Sequence, residues 1–354
     1  MGCIYAIELD GVSISPANAR KSDTLKGQVM MIAEATKLEV GVGQADVMGI
    51  GISTVDYLFT VPQMPVYGGR IVADNYLKQG GGLVATALVA LARLGASCAM
   101  IGRIADDEEG KYIHAQLAKE GVDTSLMIRE VGTCSHVAVV LVDQKTGERS
   151  FVPRVTDISP LEIDELPRHA IESAKVLFVD NINEVTLQAA QWARDAGVCT
   201  VLDPSPPFEV IQDLLPLIDV PIVPEKFAHA WMPDALKDEA VCKMAEELYD
   251  LGAKIAVVTC GDQGCVVRWE KGLFRFSAFP IDVVDTTGAG DAFHGAFIYG
   301  LLQEWSVEEV VRFASAVGTL NCRYLGGRTG LPTRDEVDAF IADHEGLFVA
   351  TLIK

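Results

Sequence analysis

From Ala45 onward, short apolar runs rich in β-branched residues alternate with longer stretches whose apolar positions recur every three or four residues. The runs Ala99-Met-Ile-Gly102, Val176-Leu-Phe-Val179, Cys199-Thr-Val-Leu202 and Ile255-Ala-Val-Val-Thr259 carry few polar interruptions. Unbroken apolar runs of this length suit parallel strands covered on both faces. A first strand is expected over Ala45 to Gly51, and helical periods cover Thr186 to Ala196 and Glu239 to Leu251. Strand–helix alternation predicts an α/β fold, a doubly wound sheet flanked by helices and wound by right-handed crossovers.

Two stretches break that alternation. Tyr57 to Tyr76 holds Pro62, Pro65 and a Gly68-Gly69 turn between strand-like pieces. His136 to Val155 reads as a hairpin about a Gln144-Lys-Thr-Gly147 turn. Together, over about 57–77 and 134–156, they predict a small separate sheet that can act as a lid. Ser306 with Glu309 and Thr333 with Glu336 form capping boxes that start the last helices. Residues 1–44 lack a clear period and read as an N-terminal extension to a domain over 45–354.

The segment Asp285-Thr-Thr-Gly288-Ala289-Gly290-Asp291 concentrates the candidate chemistry. A strand is expected before it, Phe279 to Val284, and a helix after it, with Ala292, Phe293, Ala296, Phe297 and Leu301 at helical spacing. A glycine turn opening a helix aims consecutive N–H groups at one spot, where the helix dipole favours negative charge. A carboxylate inside such a cradle can take a proton from a hydroxyl while the amides hold a phosphoryl group. The plainer reading makes Asp291 a helix cap.

Other segments carry the same pair of readings. Gly80-Gly81-Gly82 leads into a small-residue helix bearing Thr86, which suits either close ligand approach or tight packing. It has neither the phosphate-binding GxxxxGK[ST] nor the dinucleotide GxGxxG spacing. Asp56 follows a strand ending, where a carboxylate can bind vicinal sugar hydroxyls or shape a turn. Asp203 closes another strand at the same edge, where open α/β sheets bind ligands. Thr259, Gly261 and Gly264 follow a further strand and suit either a passing nucleotide or a hairpin turn.

Composition narrows the classes. Of 354 residues, 49% are hydrophobic and 22% charged, as in a packed enzyme and unlike a disordered chain. The formal net charge of −20 argues against nucleic acid and anionic membrane as partners, and it requires a local site for any phosphate. No run approaches a membrane span. Met1-Gly2-Cys3 resembles a lipidation start, but Ala6 stands where the pattern needs Ser or Thr. The eight cysteines form no CxxC pair and read as reduced residues of a cytoplasmic protein, and the six histidines show no zinc spacing.

Taken together, the Gly81-Gly82 helix, Ile101-Gly-Arg-Ile-Ala-Asp-Asp-Glu-Glu-Gly110 and Asp285 to Asp291 resemble the PfkB (ribokinase-like) carbohydrate kinase family. The resemblance implies a ribokinase-like fold and ATP-dependent transfer of the γ-phosphate to a sugar hydroxyl. It casts Asp291 as general base, with the N–H groups of Gly288, Ala289, Gly290 and Asp291 as anion hole. Asp56, Gly81, Gly82 and Thr86 would line the sugar site, and Thr259, Gly261, Gly264 and Asn321 would lie beside ATP. Glu225 would steer hydrated Mg²⁺, and the carbonyls of Asp285 and Thr287 would hold a monovalent cation such as K⁺. A homodimer through the lid is implied as well.

The chain departs from the family pattern at Thr86, where an Asn is usual, and at Pro224-Glu225-Lys-Phe-Ala228, where N-x-x-E is usual. These departures and Gly326-Gly327-Arg328-Thr-Gly-Leu-Pro332 look similar to the sulfofructose kinase branch, in which Arg70 matches a basic residue able to meet an anionic sugar group. Pro153 and Ile182 stand where that branch has its other sulfonate-binding residues, so the acceptor stays open between neutral and anionic sugars. A nucleoside or other alcohol kinase, and a catalytically silent sugar-binding regulator, are the competing readings.

Overall fold

The computed structural model describes residues 45–145, 149–154, 156–208 and 210–353. The N-terminal extension with its Met1-Gly2-Cys3 start, and the tip of the Gln144–Gly147 turn, lie outside the described residues.

The apolar runs become a ten-stranded sheet with the expected parallel core. The strands β1 (Val47–Ile50), β4 (Cys98–Ala105), β5 (Met127–Glu130), β8 (Val176–Ile182), β9 (Cys199–Phe208), β10 (Val220–Pro224) and β11 (Ala256–Thr259) all run parallel. Then β12 (Cys265–Trp269), β13 (Gly272–Phe276) and β14 (Ala350–Leu352) extend one edge antiparallel. Across the sheet the order is β14-β13-β12-β11-β10-β9-β8-β1-β4-β5. From β1 the chain winds first to one side, through β4 and β5, and then to the other. The winding reverses at β1, and open sheets bind ligands off the strand C-termini at such a point.

Alternation along the strands separates two cores. Val47, Val176 and Phe178 face one side; Met48, Ile50, Leu177 and Val179 face the other. On the first side lie α1 (Leu83–Arg93), α2 (Glu108–Lys119), α8 (Ala289–Leu302), α9 (Val307–Asn321) and α10 (Arg334–Asp343). On the second lie α3 (Arg168–Ser173), α4 (Glu184–Asp195), α5 (Ile211–Leu214), α6 (Glu225–Trp231) and α7 (Lys237–Asp250). Both predicted capping boxes form, at Ser306–Glu309 and Thr333–Glu336. Both irregular stretches join a second, four-stranded sheet. In it β2 (Thr54–Val61) pairs antiparallel with β3 (Asn75–Gly81) and parallel with β6 (Val137–Asp143), and β7 (Arg149–Pro153) closes the predicted hairpin.

One predicted strand is absent. Among the described residues, Phe279 to Val284 joins no ladder, and the chain bends at Val284. Pro280 lacks a donor, Phe279 turns into an aromatic cluster with Phe340 and Phe348, and Val284 donates its N–H to the Cys322 carbonyl. β-Branched side chains made the run strand-like, yet its hydrogen bonds and packing are those of a connection.

Helices α1 and α8 are buried almost all round and cross closely. Gly295 makes the approach possible: a Cβ there would sit 2.4 Å from the Ala87 carbonyl oxygen and 3.0 Å from the Ala90 Cβ. Gly295→Ala should therefore push the helices apart and destabilise the protein by about 1–3 kcal/mol, read as a lower urea midpoint. An unchanged midpoint would mean that the crossing yields freely.

Candidate active site

The anion turn is shaped from inside. Asp285 is fully buried, and its Oδ1 accepts from the Thr287 N–H (2.9 Å) and hydroxyl (2.8 Å), while Oδ2 accepts from the Gly326 N–H (2.9 Å). From α9, Asn321 Nδ2 donates to the Thr287 carbonyl at 3.0 Å. These bonds hold the turn so that Gly288 adopts φ 73°, the left-handed conformation in which glycine is favoured, and a Cβ there would lie 2.6 Å from Gly327. Helix α8 then begins at Ala289, and Asp291 stands in its first turn. Asn321 is wholly buried, and its bond to the Thr287 carbonyl supports the turn.

The glycine run opens α1 at the same sheet edge, with Gly82 as its cap residue. Its missing side chains leave room for protein groups. A Cβ at Gly80 would meet Arg328 Nη1 at 2.3 Å, and one at Gly81 would meet Asp56 Oδ2 at 2.1 Å. Asp56, on β2, accepts from the Thr54 hydroxyl at 3.0 Å. Arg328 is buried; its Nε donates to Thr86 Oγ1 (3.1 Å) and its Nη2 to the Gly81 carbonyl (2.9 Å). Thr86 and the Gly81 backbone are thus drawn together through one guanidinium.

Beneath them, β8 and β9 each contribute an acid. Asp180 and Asp203 are buried, and among the described residues Asp180 Oδ1 has no hydrogen-bond partner. Asp203 lies 3.7 Å from His294 Nδ1 on α8, and that imidazole also meets the carbonyls of Gly290 (2.7 Å) and Ile222 (3.1 Å). Burial, reinforced by Asp203, pushes Asp180 up to about 8. Burial raises Asp203 too, opposed by His294 and Lys226. Asp291 is held well above the ordinary carboxylate range by burial first and then by Asp203, with Asp180 and Asp56 adding to the shift and Arg328 opposing it.

The remaining sequence candidates fall in three places. Thr259 ends β11, and Gly261 and Gly264 form the turn into antiparallel β12, so the hairpin reading of that segment is correct for the backbone. Glu225 is exposed at the start of α6, just past β10. Arg70 is exposed on the β2–β3 connection, and among the described residues no bond joins it to the Asp56 group. Sequence reasoning gave no role to Arg328, Asp180 or His294. An acid ending the apolar run Val176–Val179, and a lone Arg among glycines, were the available signals.

Residues 44–334 match the family described as pfkB family carbohydrate kinase. The chain belongs to that family. A ribokinase from Haemophilus influenzae is 31% identical over 299 residues, covering 82% of this chain and 97% of that protein. A fructokinase from Oryza sativa is 28% identical over 320 residues, covering 82% and 96%. The crystal structure of a ribokinase from Thermotoga maritima matches with a TM-score of 0.73 at 25% identity, over 84% of this chain and 99% of that one. This carbohydrate kinase therefore has a ribokinase-like fold, with its mixed sheet flanked by helices.

In this kinase Asp180 is raised, so the fold prefers the neutral acid. Its stabilising contribution is complete below the ordinary carboxylate range and is lost as pH rises through about 8. Asp180→Asn should consequently gain in Tm relative to the parent as pH is raised from about 6 to about 9. A Tm difference independent of pH would show that Asp180 does not titrate in this window.

Proposed function

We propose that this carbohydrate kinase transfers the γ-phosphoryl group of ATP to a hydroxyl of its sugar, with Asp291 as the general base. One observation carries the reading: Asp291 opens the helix behind the left-handed Gly288 turn and shares its electrostatic surroundings with Asp56 and Arg328 of the glycine-run side. Asp56, Gly81, Gly82 and Thr86 line the acceptor side. The acceptor oxygen forms a bond to the γ-phosphorus as the bond to the ADP oxygen breaks, and the hydroxyl proton passes to Asp291. The amides of Gly288, Ala289, Gly290 and Asp291 stabilise the charge on the transferring group.

The nucleotide lies along the Thr259–Gly264 hairpin. Among the described residues no cluster of three or more His, Cys, Asp or Glu side chains forms a metal site. That suits Mg²⁺ entering with the nucleotide and held by phosphates, water and Glu225, where it would neutralise charge on the phosphates. A monovalent cation behind the turn would use the carbonyls of Asp285 and Thr287, the latter through the lone pair that Asn321 leaves free. The exposed Val66, Val72, Tyr76 and Val152 of the small-sheet region support a homodimer through that face. Sedimentation of the purified protein as a monomer would remove the dimer reading.

The test is ADP release with Mg-ATP across neutral, acidic and phosphorylated sugars and nucleosides, in potassium and in sodium buffers. Asp291→Asn should fold, bind ATP and lose at least about 10²-fold in turnover on the accepted sugar. Near-normal turnover in the variant would remove Asp291 from the mechanism, and equal rates in both buffers would remove the cation. No helix among the described residues is long and apolar enough to cross a membrane.

A further inference from the structure

A buried guanidinium normally has a carboxylate against it, because an unpaired internal charge is costly. Arg328 has none at ion-pair distance among the described residues. Its side-chain bonds go to Thr86 Oγ1 at 3.1 Å and the Gly81 carbonyl at 2.9 Å, and its Nη1 occupies the space that a Gly80 side chain would fill. Its own N–H is held by Gln79 Oε1 at 3.0 Å, which ties the α9–α10 loop to β3. Asp56 and Asp291 are the acids whose charge acts on it most strongly.

Resting on the reading of Asp291 as base, we propose that Arg328 is the positioning residue of the acceptor site. Its two donors set Thr86 and the Gly81 backbone toward the sugar, and its charge opposes the burial that disfavours the carboxylate forms of Asp56 and Asp291. The usual family Asn is replaced here by the shorter Thr86, and Arg328 occupies the hydroxyl of that residue.

The electrostatic surroundings make the charge role specific. Asp291 faces Asp56 from β2, Asp180 from β8, Asp203 from β9 and Arg328 from the α9–α10 loop. Three of those four neighbours are acids, and Arg328 is the one that favours the carboxylate. Asp203 spends its own attraction on His294 and Lys226. Asp56 is raised by burial and lowered by the Thr54 hydroxyl and Arg328. Around Arg328 itself stand Asp56, Asp291, Glu120 and Tyr112; burial outweighs them and brings the guanidinium down to about 10. It is still protonated throughout the neutral range.

Removing the charge should raise the pH at which Asp291 becomes a base. In Arg328→Met the acid limb of the kcat profile should move up by about one pH unit or more, with turnover recovering towards alkaline pH. The sugar KM should rise while the ATP KM holds. Arg328→Lys restores charge without the paired bonds, so its acid limb should return towards that of the parent with the sugar KM still raised. Gly80→Ala displaces the guanidinium tip but keeps the residue, so both effects should appear in smaller measure even if Arg328→Met does not fold. A parental acid limb and parental sugar KM in Arg328→Met, or in Gly80→Ala where Arg328→Met is unfolded, would overturn the proposal. Asp291→Asn measured alongside separates the two failures. If it is inactive while the Arg328 variants behave as the parent, only the role of Arg328 falls; if it is active, the base reading falls first.

Discussion

The close crossing of α1 and α8 is the constraint on which the rest depends. Both helices are buried on nearly every face, and Gly295 lets their backbones approach until a single added carbon would collide with Ala87. Helix α1 begins at the glycine run and α8 at the left-handed Gly288 turn. Fixing the crossing therefore fixes where two sets of backbone groups emerge at the reversal point of the sheet. Close packing in a core transmits position in this way because it has little compliance. The glycine run and the Gly288 turn are two ends of one packed unit.

That unit gathers an unusual amount of buried charge. Asp180 and Asp203 come up from the sheet, Asp56 from β2 and Asp291 from α8. Burial disfavours the ionised form of each, and repulsion from neighbouring acids adds to the effect at Asp180 and Asp291. Opposing them are the buried Arg328, facing Asp56 and Asp291, and His294 with Lys226, acting on Asp203. Strain of this kind, concentrated beside a left-handed glycine turn, is expected where function competes with stability.

Much of this was legible in the chain. Parallel strands announced themselves because burial on both faces leaves no polar alternation, and capping boxes at Ser306 and Thr333 report local chemistry that tertiary context does not alter. The glycine turn before Asp291 was visible because few other roles need such a sequence. Phe279 to Val284 misled because β-branched composition reports what suits a strand, whereas ladder partners are decided elsewhere in the fold. Arg328 escaped for a related reason. Its meaning lies in contacts with Gly80, Gly81 and Thr86, some 240 residues away along the chain, and no local pattern encodes a partner at that distance. Asn321, expected beside a nucleotide, donates through Nδ2 to the Thr287 carbonyl, a contact with the turn that the sequence did not signal.

Asp56 belongs to β2, and seven residues of that strand pair with β6 in the small sheet. The carboxylate that would grip the sugar is thus part of the piece that covers it. A swing of the small sheet away from the core would carry that grip with it and take the acceptor pocket apart. Water entering through the same gap would find the anion turn still formed, but no ordered place from which to attack. In the proposed site cover and recognition would share one β-strand, and that arrangement would by construction guard a bound nucleotide against wasteful hydrolysis.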